Sequence, residues 1–202
     1  MQQPPGTDDI RLMARVRKGD TLAFEVLHRR YQRKMLNFFF GLTHNTHSAS
    51  DLCQETFLRI WKIRLRYRAT GSFPGYLFGV ARLVYLEHVK REVRRQHAPF
   101  FEDEEANLPC PDGNPEKLAS RAELSELIRR AVEELPEPQR MVFVMRTVDG
   151  LSLDDIATAL DCPVNTVRSR KLLAMKKLRD LLGDAFVSHF ERTTKEYRSD
   201  AL

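Results

Sequence analysis

Apolar side chains recur at helical spacing through most of the chain, and no strand-like alternation is sustained. The pattern predicts a first helix over Asp8–Arg17 and a second over Thr21–Leu42, split by Lys18-Gly19-Asp20. Gly19 stops the first helix and Asp20 caps the next. Phe24, Leu27, Tyr31, Met35 and Phe38 mark an inward stripe along the second. Thr43–Ser50 is polar and reads as a turn. A third helix is expected from Asp51 to about Arg66, with Leu52, Phe57, Ile60 and Trp61 on its apolar side. Ala69-Thr70-Gly71-Ser72 interrupts the pattern, and Phe73–Arg95 forms a fourth helix with Leu77, Val80, Ala81, Val84 and His88 on one core face. Helical spacing resumes near Leu118 and runs to about Leu182, ending at Gly183.

Between these blocks the chemistry changes. From Ala98 to Lys117 there are four prolines and six acids against one base, with little apolar content, which reads as an extended acidic linker. The expected class is all-α: two small helical domains, 8–97 and 118–183, joined by the linker 98–117 and followed by a tail, 184–202, with no assigned role. At 30% charged and 42% hydrophobic residues the composition suits a soluble globular protein, and no apolar run reaches membrane-span length. The N-terminal MQQPPGTDD lacks the basic and apolar parts of a signal peptide. Cys53, Cys110 and Cys162 are scattered and odd in number, which suits a reducing cytoplasm better than a disulfide framework. The expected location is cytoplasmic, without membrane insertion.

Leu151–Arg179, LSLDDIATALDCPVNTVRSRKLLAMKKLR, carries the most specific chemistry. Ser152 can cap a helix, with Asp155 three residues on. Leu153, Ile156, Ala157 and Leu160 then make an apolar face, and Asp161-Cys162-Pro163 breaks the helix and opens the next. The second helix offers Asn165, Thr166, Arg168, Ser169, Arg170 and Lys171 early and Lys176 and Lys177 later, while Val164, Val167, Leu172 and Leu173 can pack inward. Between Val164 and Arg179 lie six Lys/Arg and no acid. Amides, hydroxyls and guanidinium forks at the start of a helix are what reading base edges in a major groove requires. A helical hairpin with a solvated basic face is the plainer alternative.

A second basic surface runs from Arg59 to Arg95, with ten Lys/Arg against Glu87 and Glu92. Interleaved aromatics suit single-strand binding, where cations follow phosphates and rings accept unstacked bases. Trp61 and Phe57 read more simply as core, whereas for Tyr67–Phe73 both readings stand.

DLCQETFLRIWK (Asp51–Lys62), FPGYLFGVARLVYLEHVKREVRR, and ELPEPQRMVFVMRTVDGLSLDDIATALDCPVNTVRSR, in that order around an acidic linker, resemble a bacterial extracytoplasmic-function sigma factor. The resemblance implies that Asp51, Gln54, Glu55 and Leu58 dock on core RNA polymerase. It places Arg66, Tyr67, Arg68, Ser72, Phe73, Tyr76, Arg82, Lys90, Arg91 and Arg94 near the minus-ten element of promoter DNA. Asn165, Thr166, Arg168, Ser169, Arg170, Lys171, Lys176 and Lys177 fall on the reader of the minus-thirty-five element. Implied partners are core RNA polymerase, promoter DNA and, as an open question, an anti-sigma factor. The implied function is promoter recognition, DNA melting and transcription initiation at a specific regulon. Leu83 stands where many relatives have an asparagine, which removes an amide from a surface expected near DNA.

Two other readings remain. A helix-turn-helix regulator could act without replacing the sigma subunit, but it would need a receiver or ligand domain in place of the all-helical N-terminal half. An enzyme or metal protein could use His44, His47 and Cys53, although H-x-x-H with one distant cysteine matches no established zinc spacing. No phosphate-binding glycine loop or Ser/His/Asp signature is present, so the expectation is a non-enzyme without cofactor or metal.

Overall fold

The computed structural model describes residues 7–69, 71–96, 126–147 and 150–183, and all regular structure among them is helical. The expected linker 98–117, the beginning of the second domain, Cys110 and the tail 184–202 lie outside the described residues. In chain order the helices are α1 (Thr7–Arg17), α2 (Thr21–Thr43), α3 (Thr46–Ile63), α4 (Phe73–Gln96), α5 (residues 126–133), α6 (Glu137–Thr147), α7 (Leu153–Leu160) and α8 (Val164–Leu182). A single 3-10 turn, Arg64–Arg66, follows α3.

Local chemistry explains the boundaries. Gly19, at φ 90°, makes the turn after α1, and the Asp20 carboxylate accepts the Ala23 N–H at 3.0 Å to start α2. His44 ends α2 in the left-handed region at φ 51°. The helix α3 begins five residues before the expected Asp51, because the Asn45 side chain accepts the Ser48 N–H at 2.8 Å and caps it. The segment expected to be a turn is therefore mostly the first turn and a half of α3. Ser72 starts α4 by accepting the Gly75 N–H on its hydroxyl at 3.1 Å.

The described chain packs as two units. One contains α1–α4 together with Val144–Val167; the other contains residues 126–143 and 168–183. Within the first of these units α7 packs on α4. In the first unit α2 lies against α1 and α3, and α4 against α3 and α7. Phe38, Phe39, Phe73 and Phe78 are fully buried there, with Met13, Leu27, Met35, Ile60 and Leu77 between them. Each such side chain contributes about 1.5–3 kcal/mol of apolar burial. Phe38 meets Phe78 edge-on at 5.2 Å, and Phe24 stands 5.2 Å from Trp61, so α2 is fastened to α4 and α3 by rings. The buried Asp9 carboxylate accepts the Tyr31 hydroxyl and an Arg30 N–H, fixing α1 to α2. In the second unit Arg129 bridges Glu126 and Glu133, each at 2.6 Å, along α5.

Candidate nucleic-acid interface

On α3, the buried face consists of Ala49, Leu52, Cys53, Thr56, Phe57 and Ile60. The spacing then forces Asp51, Gln54 and Leu58 to the opposite side, where all three are exposed. Glu55 completes this patch but is half-buried, at 3.3 Å from Arg59. Arg59 also grips Glu87 of α4, whose carboxyl is held below its ordinary range mainly by that hydrogen bond. The four residues expected to share a docking surface do share one face.

In the segment after α3, for which both readings stand in the sequence, the rings are buried. Tyr67 and Phe73, proposed as rings that could receive bases, are 3% and 1% exposed. Phe73 packs edge-on against Tyr31 at 5.3 Å, and Tyr67 against Tyr76 at 4.8 Å. In this conformation the two rings belong to the core, and Tyr76 is half-buried beside them. Burial pushes both phenols, Tyr67 and Tyr76, above their ordinary titration range. Among the described residues neither hydroxyl has a hydrogen-bond partner. Around this cluster Arg66 and Arg68 are exposed, as are Lys90, Arg91 and Arg94 along the far half of α4, whereas Arg82 is half-buried. Ser72 does not face solvent alone; its hydroxyl donates to the Asp155 carboxylate. Arg64 lies over the Trp61 ring at 4.4 Å and donates to the Trp61 carbonyl at 2.8 Å, a contact whose only sequence signal is the i, i+3 spacing.

The hairpin at Leu151–Arg179 forms as its capping pattern predicts. The Ser152 hydroxyl accepts the Asp155 N–H at 3.0 Å and donates to the Asp155 carboxylate at 2.7 Å. Asp161 closes α7 in the left-handed region, and the Cys162 N–H reaches the Ala157 carbonyl at 3.1 Å. Pro163 then opens α8 by accepting the Thr166 N–H at 2.9 Å. Along α8 the buried positions are Val167, Ala174, Leu178 and Leu182. Leu172 and Leu173, expected inward, are instead 70% and 53% exposed, because a face set by Val167 and Ala174 turns them outward. Asn165, Arg168, Ser169 and Lys176 are exposed, while Thr166, Arg170, Lys171 and Lys177 are half-buried. Arg168 is thus more open than Arg170, and Lys177 donates to the Glu134 carbonyl.

Family models for Sigma-70 region 2 and Sigma-70 region 4 match residues 27–95 and 125–178. The RNA polymerase sigma-H factor of Pseudomonas aeruginosa is 32% identical over 189 residues, covering 88% of this chain and 97% of that protein. The chain belongs to the extracytoplasmic-function sigma factors. The ECF RNA polymerase sigma-E factor of Escherichia coli is similar too, at 34% identity over 170 residues, 81% of this sigma factor and 88% of its relative.

Solved structures share the fold of this sigma factor. CnrH in complex with the cytosolic domain of CnrY aligns with a TM-score of 0.65 at 22% identity, over 87% of this chain and 97% of that one. The sigma factor RpoE in complex with the anti-sigma factor NepR from Bartonella quintana aligns with a TM-score of 0.62 at 22% identity, over 79% and 96%. Among the described residues no group of three or more candidate metal ligands forms, and the buried Cys53 thiol faces the Gln32 carbonyl at 3.9 Å. None of the described helices is long and apolar enough to cross a membrane.

Proposed function

We propose that this sigma factor divides its work between residues 8–97 and 118–183, with the acidic segment 98–117 connecting them. The first domain docks on core RNA polymerase through Asp51, Gln54, Glu55 and Leu58 and engages the minus-ten element with the basic and aromatic stretch from Arg66 to Arg94. The second reads the minus-thirty-five element with α8. The observation that carries this reading is the α3 face, where two carboxylates, an amide and a 53% exposed leucine sit side by side. An exposed leucine rimmed by acids suits a partner with an apolar groove and basic edges.

Exposure orders the roles on α8. Asn165, Arg168 and Ser169 stand open at the start of the helix, where a helix entering the major groove meets base edges. Lys176 and Lys177, two turns on, suit phosphates, which position a protein without reading sequence. On α4, Lys90, Arg91 and Arg94 form a cationic track. In this reading phosphodiester chemistry belongs to the polymerase, the chain contributes binding and needs no cofactor, and its site of action is the cytoplasm. An anti-sigma factor, of the kind bound to RpoE in the solved complex, is the expected regulator.

The test is specific DNA binding by the purified chain with and without core polymerase. Footprints that appear only with core polymerase support the assignment. A full-strength specific footprint without polymerase supports a self-sufficient regulator.

A further inference from the structure

The open side of α8 carries an apolar group that packing does not explain. Val167, Ala174 and Leu178 are fully buried and set the inward side of the helix. At about 100° per residue Leu172 then points away from them, and it is 70% exposed. Arg168, four residues back, Ser169, three back, and Lys176, four on, lie on the same face and are exposed too. A lone exposed leucine is ordinary. Leu172 differs because cations and a hydroxyl enclose it, on a helix with six Lys/Arg and no acid between Val164 and Arg179. Leu173 is 53% exposed but lies about 100° round the helix, on the side of the exposed Asp180.

A partner for the Leu172 face must offer negative charge at its rim and an apolar group at its centre. DNA offers both in one groove. Phosphates line the major groove, and the apolar group that base edges display there is the 5-methyl of thymine. We propose that Leu172 packs on one thymine methyl of the minus-thirty-five element and so favours thymine over cytosine at that position. Guanidinium and hydroxyl groups read the hydrogen-bonding edges of bases and do not sense a methyl, so the leucine supplies what Arg168 and Ser169 lack. The step from Arg168 to Leu172 is about 6 Å along the helix, so the thymine lies within about two base pairs of the position that Arg168 reads. This inference rests on the assignment of α8 to the minus-thirty-five element and adds a base contact to it.

The test changes that methyl alone. Holoenzyme is reconstituted from core polymerase and the full chain. The preferred minus-thirty-five element is made with deoxyuridine in place of each thymine in turn, on either strand. Deoxyuridine keeps the base pair and O4 and lacks the methyl. At one position wild-type holoenzyme should bind the deoxyuridine promoter about fourfold more weakly, the worth of one buried methyl group. Leu172→Ala should bind the two templates equally there, while Leu173→Ala keeps the wild-type ratio. A preferred element without thymine on either strand, or an effect that persists in Leu172→Ala or vanishes in Leu173→Ala instead, overturns the proposal. So does the absence of any methyl effect, which leaves the leucine to a protein partner. If Arg168→Ala relaxes one position while deoxyuridine has no effect, the thymine contact alone fails. If Arg168→Ala and Leu172→Ala both keep the wild-type preference at every position, the promoter-reading assignment of α8 fails with it.

Discussion

Arg59 of α3 holds the Glu87 carboxylate of α4 through two hydrogen bonds, 2.8 and 2.6 Å long, and keeps a third contact, at 3.3 Å, to Glu55 on its own helix. The fork links the proposed polymerase face to the proposed promoter helix. Glu87 is 53% exposed, so its pair with Arg59 contributes only about 0.2–1 kcal/mol. Because the fold lowers the Glu87 pKa, this stability is present above the ordinary carboxylate range and fades as pH falls through the lowered folded value. Glu87→Gln should therefore lower stability slightly at pH 7 and flatten this part of the acid limb. Urea unfolding at several pH values checks it, and an identical acid limb in the variant contradicts it.

Glu55→Lys tests docking. The new cation faces Arg59 at i, i+4, a repulsion of about 0.2–0.5 kcal/mol, so the fold survives. Affinity for core polymerase should drop while circular dichroism stays unchanged. Co-purification with core polymerase at wild-type strength contradicts the role given to Glu55.

The aromatic cluster yields predictions of opposite sign. The Tyr67 hydroxyl is buried without a partner among the described residues, so Tyr67→Phe should leave stability unchanged or raise it by about 1 kcal/mol. Phe73→Ala empties a fully buried site against Tyr31 and should cost about 3–5 kcal/mol. Thermal unfolding separates the two; a loss of more than about 1 kcal/mol in Tyr67→Phe points to a hydrogen bond made by that hydroxyl.

Much of the fold was legible because its signals are local. Asp20 and Ser152 announce their helices by the caps they form, and Leu77, Ala81 and Val84 fall on the buried face that helical spacing predicts. The start of α3 was missed because Thr46-His47-Ser48 has no apolar repeat; a single Asn45 cap makes that turn. Tyr67 and Phe73 look accessible in a loop-like segment, and only the rings of Tyr76 and Tyr31, met through tertiary packing, bury them. The inward face of α8 was misassigned for a related reason. Leucines at 172 and 173 outweigh Ala174 on hydrophobicity, yet Ala174 lies on the side shared by Val167 and Leu178. That Asp51, Gln54, Glu55 and Leu58 share a face of α3 was legible residue by residue, since that face is the complement of the buried one.

Sequence reading by α8 is the most exposed part of the proposed function. Arg168 and Arg170 are two residues, or roughly 200°, apart on the helix, and Arg168 is the more open of the two. Replacing a base-contacting Arg168 by Ala should cost about 1–3 kcal/mol and relax the preference at one promoter position. Lys177→Ala should weaken binding on all sequences and reduce salt dependence, with an added small loss from the Glu134 carbonyl contact. The most direct measurement is transcription of a randomised minus-thirty-five library by core polymerase reconstituted with wild-type, Arg168→Ala and Lys177→Ala chains. The expected result is one relaxed position with Arg168→Ala and an unchanged motif at lower yield with Lys177→Ala. An unchanged motif with Arg168→Ala, or a shifted motif with Lys177→Ala, contradicts it.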